Sequence, residues 1–200
     1  MLKFYLIRHS KTFGNTMRRY IGTTDEPLCA EGIQLLKNRK YPDVEMVFSS
    51  PMRRCRETAA LLYPGQKQTV IANLAECDFG EFENKNADEL KENLKYQDWI
   101  DSGGMLPFPE GESREHFIKR SVDGFMEVVD ICRKKGVECA ALVVHGGTIM
   151  SVMSAFVPED GDYYFWQCGN GEGFALNLCE NTEVKYGYTC TGWKKVIECS

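Results

Sequence analysis

The chain has 200 residues and a mass of 22.8 kDa, with 43% hydrophobic and 26% charged residues and a net charge of -5. With a mean hydropathy of -0.36 and a pI near 5.4, this composition excludes a disordered chain, a collagen-like repeat and an ordinary basic nucleic-acid binder. The length suffices for one buried core, and a single domain over residues 1–200 is expected.

Apolar runs and helical patterns alternate along the chain, which predicts an α/β fold. Residues 2–7 read as a buried strand ending directly at Arg8-His9, followed by a Gly-, Asn- and Thr-containing loop over 10–27 and a helix over 30–39. A second strand is predicted at 45–49, a helix at 52–62 stopped by Pro64-Gly65, and a short strand at 69–72. Helical pattern resumes at 87–100, and Gly103-Gly104, Pro107 and Pro109 then break it. A long helix over 113–133 starts on Ser113 as its N-cap. Residues 139–144, Cys-Ala-Ala-Leu-Val-Val, form the most apolar strand and terminate at His145-Gly146-Gly147, with a helix over 148–156 beyond. Two late strands, 173–179 and 184–190, are expected as a hairpin turning at Glu180-Asn181. Asp160-Gly-Asp162 reads as a turn.

The nine cysteines form no CxxC pair, their closest spacing being Cys132 to Cys139, so buried thiols in a cytoplasmic chain are expected. The N-terminus offers only a four-residue apolar run, against the roughly 7–15 of a signal peptide or the roughly 20 of a membrane span. Charge is uneven, however. Residues 1–60 carry eleven Lys/Arg against six Asp/Glu, so a local cluster within an acidic chain could hold a small anion.

Two of the three histidines, His9 and His145, directly follow strands that read as buried and parallel, the place where ligands gather in open α/β sheets. Cations surround them. Arg8 adjoins His9, and Arg53, Arg54 and Arg56 open the helix after the second strand, with Arg54 directed inward through its i+4 neighbour Thr58. A guanidinium fork matches phosphoryl oxygens, and such chemistry needs a proton donor for the leaving oxygen. The loop 74–83 supplies Glu76, Asp78, Glu81 and Glu83, which spacing does not separate. No C-x5-R, GxxxxGK[ST], HExxH or GxSxG pattern is present, and no catalytic metal is expected.

Six blocks in order resemble the histidine phosphatase superfamily, in its phosphoglycerate-mutase-like branch. They are Leu6-Ile-Arg8-His9 with Asn15; Tyr20-Ile-Gly22 through Gly32; and Ser49-Ser50-Pro-Met-x-Arg54 through Thr58. Leu74-x-Glu76-x-Asp78-Phe-Gly80-x-Phe-Glu83, Pro109-x-Gly111-Glu112-Ser113 and Val144-His145-Gly146-Gly147 complete the series. The resemblance implies a three-layer sandwich with a mostly parallel central sheet and helices on both faces. It also implies that His9 carries the phosphoryl group, and that Arg8, Arg54 and a protonated His145 hold its oxygens. Glu76 is then the acid and base, with Asn15, Gly22 and Gly146 at the substrate and no cofactor.

Three departures stand out. Ser10 replaces the family's glycine, where it would either crowd the turn or lend a hydroxyl to phosphate, and Lys11 replaces an acidic residue. Asn84 replaces a further glycine. The expected activity is metal-independent hydrolysis of a small-molecule phosphomonoester, with α-ribazole 5′-phosphate suggested by the wording of residues 78–83. The alternatives are a cofactor-dependent phosphoglycerate mutase, disfavoured by the short interval between Glu76 and Glu112, and a non-catalytic phospholigand-binding module. No nucleic acid or membrane partner is expected, and a homodimer is compatible with the chain.

Overall fold

A computed structural model describes residues 1–158 and 162–196. Asp160 and Gly161 of the predicted turn, and Cys199, lie outside the described residues. Six strands form one sheet: β1 (Leu2–Arg8), β2 (Met46–Ser49), β3 (Gln68–Val70), β4 (Cys139–Val144), β5 (Gly173–Glu180) and β6 (Tyr188–Val196). Their order is β3-β2-β4-β1-β5-β6. The first four in that order run parallel, and β5 and β6 extend the sheet antiparallel. The helices are α1 (Phe13–Thr16), α2 (Ala30–Lys37), α3 (Arg53–Leu62), α4 (Ala87–Leu90), α5 (Leu94–Asp101), α6 (Arg114–Lys135) and α7 (Gly146–Phe156).

The continuous apolar runs of β1 and β4 follow from burial on both faces, as parallel strands require. Successive side chains point to opposite sides. On one side Phe4, Leu6, Ala140, Leu142 and Val144 pack with Val122, Phe125 and Val129 of α6 and Ile149 and Val152 of α7. On the other, Tyr5, Ile7, Ala141 and Val143 pack with Cys55 and Ala59 of α3 and with Tyr63. This gives the expected three layers. A third cluster, Phe82, Leu90 and Tyr96 backed by Tyr20, Phe79, Trp99 and Phe108, is built largely from the segment between β3 and α6. Among the described residues no helix is long and apolar enough to cross a membrane.

Helix α6 starts where the sequence predicts, with the Ser113 side chain accepting from the His116 amide. Two elements differ from expectation. The helix predicted over 87–100 is split into α4 and α5, because Asn93 caps the second piece by accepting from the Tyr96 amide. The last strand lies at 188–196 rather than 184–190. Residues 181–187 form the connection instead, closed by the Asn181 N–H on Gly187 O and by Gly187 at φ +72°. A bulge between Asn177 and Leu178 then adjusts the register of the hairpin.

Candidate active site

The site is assembled at the carboxyl ends of three adjacent parallel strands. Arg8 pairs with Val144 in the β1–β4 register, so His9 and His145 emerge side by side. The His9 amide donates to Val144 O at 2.8 Å, and the two rings lie 5.2 Å apart, centroid to centroid. On the far side of β4, the Ser50 amide donates to Val143 O, which brings Ser50 Oγ within 2.7 Å of His145 Nε2. The role of Ser50 was not evident from spacing, because it arises from the β2–β4 pairing.

The orientation of His9 is fixed by one contact. Its Nδ1 lies 2.7 Å from Ser10 O, and a carbonyl oxygen only accepts, so Nδ1 carries the proton. The neutral ring therefore keeps its lone pair on Nε2. Burial, reinforced by the Arg54 and Arg8 charges, holds the His9 pKa well below its ordinary value. The same causes, with a contribution from His9, depress His145. The protonated His145 that the resemblance implies is opposed here by burial and by the neighbouring cations. An imidazolium there would sit buried among cations.

Residues 168–172 brace the Arg8–His9 backbone. The Gly171 amide donates to Arg8 O, the Arg8 amide donates to Glu172 O, and Asn170 Nδ2 donates to His9 O at 3.0 Å. Arg8 Nη1 donates to Cys168 O at 2.6 Å, while its buried Nε has no partner. Gly146 opens α7 against this guanidinium, and a Cβ added there would stand 3.5 Å from Arg8 Cζ. Helix-start amides beside a half-buried arginine make an anion site.

Arg54 is fully buried, as its inward placement predicts. Its Nη atoms donate to the carbonyls of Ile21, Gly22 and Thr24, and its Nε is a second buried donor without a partner. Gly22 is not on the cavity lining, and neither are Arg54 and His145, which stand directly behind it; the Gly22 amide donates to the Glu83 carboxylate and its carbonyl accepts from Arg54. A Cβ there would fall 1.9 Å from Cys77 O, which explains the glycine through close backbone approach. Asn15 does line the cavity; its Oδ1 accepts from Thr12 N–H and Asn170 Nδ2, leaving its amide hydrogens for a ligand.

The four carboxylates that spacing left open are now separated. Asp78 accepts from the Gly80 amide, Glu81 pairs with Lys95, and Glu83 binds the Gly22 and Thr24 amides. Only Glu76 lines the cavity, together with Arg8, His9, Asn15 and Gly146. Burial raises its pKa against the opposing pull of the Cys77 amide, Arg54 and Arg8. Arg120 holds the loop from below, donating to the carbonyls of Asn73, Ala75 and Glu76 and pairing with Glu112 at 2.8 Å. The sequence offered no sign of this brace, since it spans 44 residues.

The profile of the histidine phosphatase superfamily, branch 1, matches residues 4–185. The chain belongs to this family. It is 30% identical over 168 residues to a protein of Schizosaccharomyces pombe named a probable phosphatase, covering 80% of this chain and 76% of the relative. Phosphoserine phosphatase 1 of Hydrogenobacter thermophilus is 25% identical over 203 residues, covering 95% and 94%. The crystal structure of the α-ribazole phosphatase from Shigella flexneri superposes with a TM-score of 0.75 at 20% identity, over 94% of each chain, a likeness of fold.

Within this family, the departure at Ser10 has a structural account. Ser10 is fully buried, and its φ is not in the left-handed region. Its hydroxyl donates to Gly32 O at 2.7 Å and its amide donates to Thr58 Oγ1, which itself donates to Arg54 O. The residue neither crowds the turn nor offers its hydroxyl to phosphate; it ties the His9 loop to α2 and α3. Ser10→Ala should cost about 1 kcal/mol, the net worth of one hydrogen bond. Urea unfolding would show this as a lower midpoint with an unchanged slope. Asn84 adopts φ +58°, a left-handed conformation that asparagine tolerates in place of glycine.

Proposed function

We propose that this chain is a metal-independent phosphomonoester hydrolase that works through a phosphohistidine on His9. The observation that carries the reading is the Nδ1 contact of His9 with Ser10 O, which leaves the Nε2 lone pair as the nucleophile in a cavity shared with Glu76. Nε2 attacks phosphorus as the ester P–O bond breaks, and protonated Glu76 gives its proton to the departing oxygen. The Arg8 and Arg54 guanidiniums, each with an unmet Nε–H, stabilise charge on the phosphoryl oxygens together with His145, which gains a proton as the anion enters. Glu76, now a carboxylate, takes a proton from water. The resulting attack breaks the P–N bond and releases inorganic phosphate.

The substrate is a small phosphorylated metabolite, and α-ribazole 5′-phosphate is the first to assay. The non-catalytic binding reading drew its support from Ser10, and the placement of that side chain removes it. Phosphate release from p-nitrophenyl phosphate in excess EDTA tests the proposal, with an acid-labile, alkali-stable phosphoenzyme trapped by alkaline quench. A rate abolished by EDTA overturns it. So does bisphosphoglycerate-dependent isomerisation with little hydrolysis, which would instead make the chain a mutase.

A further inference from the structure

The cavity over His9 measures about 620 Å³, well inside the range of about 300–1,000 Å³ that encloses drug-sized ligands. Phosphoserine or phosphoglycerate would leave much of it to water. Its walls are aromatic: Tyr20, Phe79, Trp99, Phe108, Tyr163 and Tyr164 all line it. The first four form a connected set, with ring centroids 5.3 Å apart for Tyr20–Phe79, 5.0 Å for Phe79–Phe108 and 5.1 Å for the stacked Trp99–Phe108 pair. Tyr163 and Tyr164 form a second wall, edge to face at 5.3 Å.

Two of the wall hydroxyls are already bonded. Tyr20 Oη bonds Tyr96 Oη, and Tyr163 Oη donates to Gly147 O. The ring faces give the cavity carbon surface, beside the polar side chains of Asn15, Arg19, Arg114 and Gln167 on the same lining. The Arg114 guanidinium lies 4.3 Å from the Tyr163 ring centroid and 5.2 Å from that of Tyr164, so its planar face is spent on tyrosine. Arg19, also on the lining, is paired with Glu89 at 2.6 Å. All six aromatic side chains remain half-buried or exposed, although most of them pack on a core cluster behind. A flat hydrophobic ligand would complete that packing, whereas a hydroxy acid would desolvate these rings without replacing their contacts.

We infer that the alcohol portion of the phosphomonoester held at this site bears a planar ring, as in an arylalkyl or nucleoside-type phosphomonoester, rather than a small hydroxy acid. This rests on the hydrolase reading for the reaction and narrows its leaving group. The experiment pairs binding with turnover, so that the two readings fail separately. Dissociation constants are measured by calorimetry for ethylphosphonate and 3-phenylpropylphosphonate, which cannot be hydrolysed. Values of kcat/KM are measured for ethyl phosphate, 2-phenylethyl phosphate and phosphoserine, whose leaving groups are all alcohols rather than activated phenols.

The ring-bearing member of each series should be favoured at least tenfold, with phosphoserine below 2-phenylethyl phosphate. Trp99→Leu, which keeps an apolar side chain in the cluster, should shrink the ring preference severalfold. Tyr164→Ala, at a 42% exposed position, should do the same with little risk to folding. Equal affinity for the two phosphonates overturns the inference, as does phosphoserine matching or exceeding the ring ester. Tight binding of the ring phosphonate without hydrolysis of any ester supports it and defeats the hydrolase reading alone.

Discussion

His9→Ala is expected to lower phosphate release by roughly 10⁴–10⁶-fold, the scale on which loss of a nucleophile is felt. The size of the effect follows from how completely the function is concentrated on one atom. Nδ1 is committed to Ser10 O, so only Nε2 can attack, and no other group at the site combines a free lone pair with that position. His145 Nε2 is already engaged with Ser50 Oγ. Arg8, Arg54 and the start of α7 remain in place in the variant, so inorganic phosphate should still bind within a few-fold of wild type. Steady-state kinetics and calorimetry on the same preparation check both halves. A variant that retains a tenth of the activity would move the nucleophile elsewhere.

The second large effect concerns Glu76. Glu76→Gln should reduce kcat by about 10²–10⁴-fold on alkyl phosphates, the usual contribution of a placed general acid. With p-nitrophenyl phosphate the first step needs no proton donor, so it should survive. The following hydrolysis of phosphohistidine still lacks its base, and a stoichiometric burst of nitrophenol before a slow steady state is the expected signature.

The pH dependence carries the same assignment. His9 reacts only when neutral, and its pKa is depressed, so kcat/KM should rise with pH through a value below 6.5. Glu76 must be protonated for the first step, and its pKa is raised, so activity should fall as pH rises through a value above 4.5. The profile is a bell. In Glu76→Gln its alkaline limb should vanish, while the acid limb set by His9 stays.

Much of this site was readable before any coordinates. Strands buried on both faces write themselves as unbroken apolar runs, so the abrupt ends at Arg8-His9 and His145-Gly146 located the chemistry without a partner in view. Arg54 was readable through Thr58, because the i+4 relation is a local property of a helix. Glu76 was different. Four acidic residues share one loop, and which of them meets the cavity depends on Arg120 and Glu112, which belong to the region around α6. The setting of Gly22 was hidden for a similar reason: its proximity to Cys77 and Arg54 is a meeting of three distant segments. The split of the 87–100 helix turned on one asparagine that capped a new start more favourably than it continued the old one. Ser10 left two readings open, a crowded turn or a phosphate contact, because the partner of its hydroxyl, Gly32 O, lies 22 residues away.

The β1–β4 register has a consequence for how such a protein can change. Neighbouring strands stand about 4.7–4.9 Å apart by the geometry of the peptide ladder alone. The His9 and His145 rings, 5.2 Å apart, owe their adjacency to this strand pairing and their orientation to Ser10 O and Ser50 Oγ. The sheet acts as a gauge block for the reacting centre. The aromatic walls come from loops and short helices at 20, 79–108 and 163–164, outside the ladder. Those segments can be exchanged for others, widening or narrowing the range of alcohols accepted, while the distance between the two imidazoles is inherited unchanged.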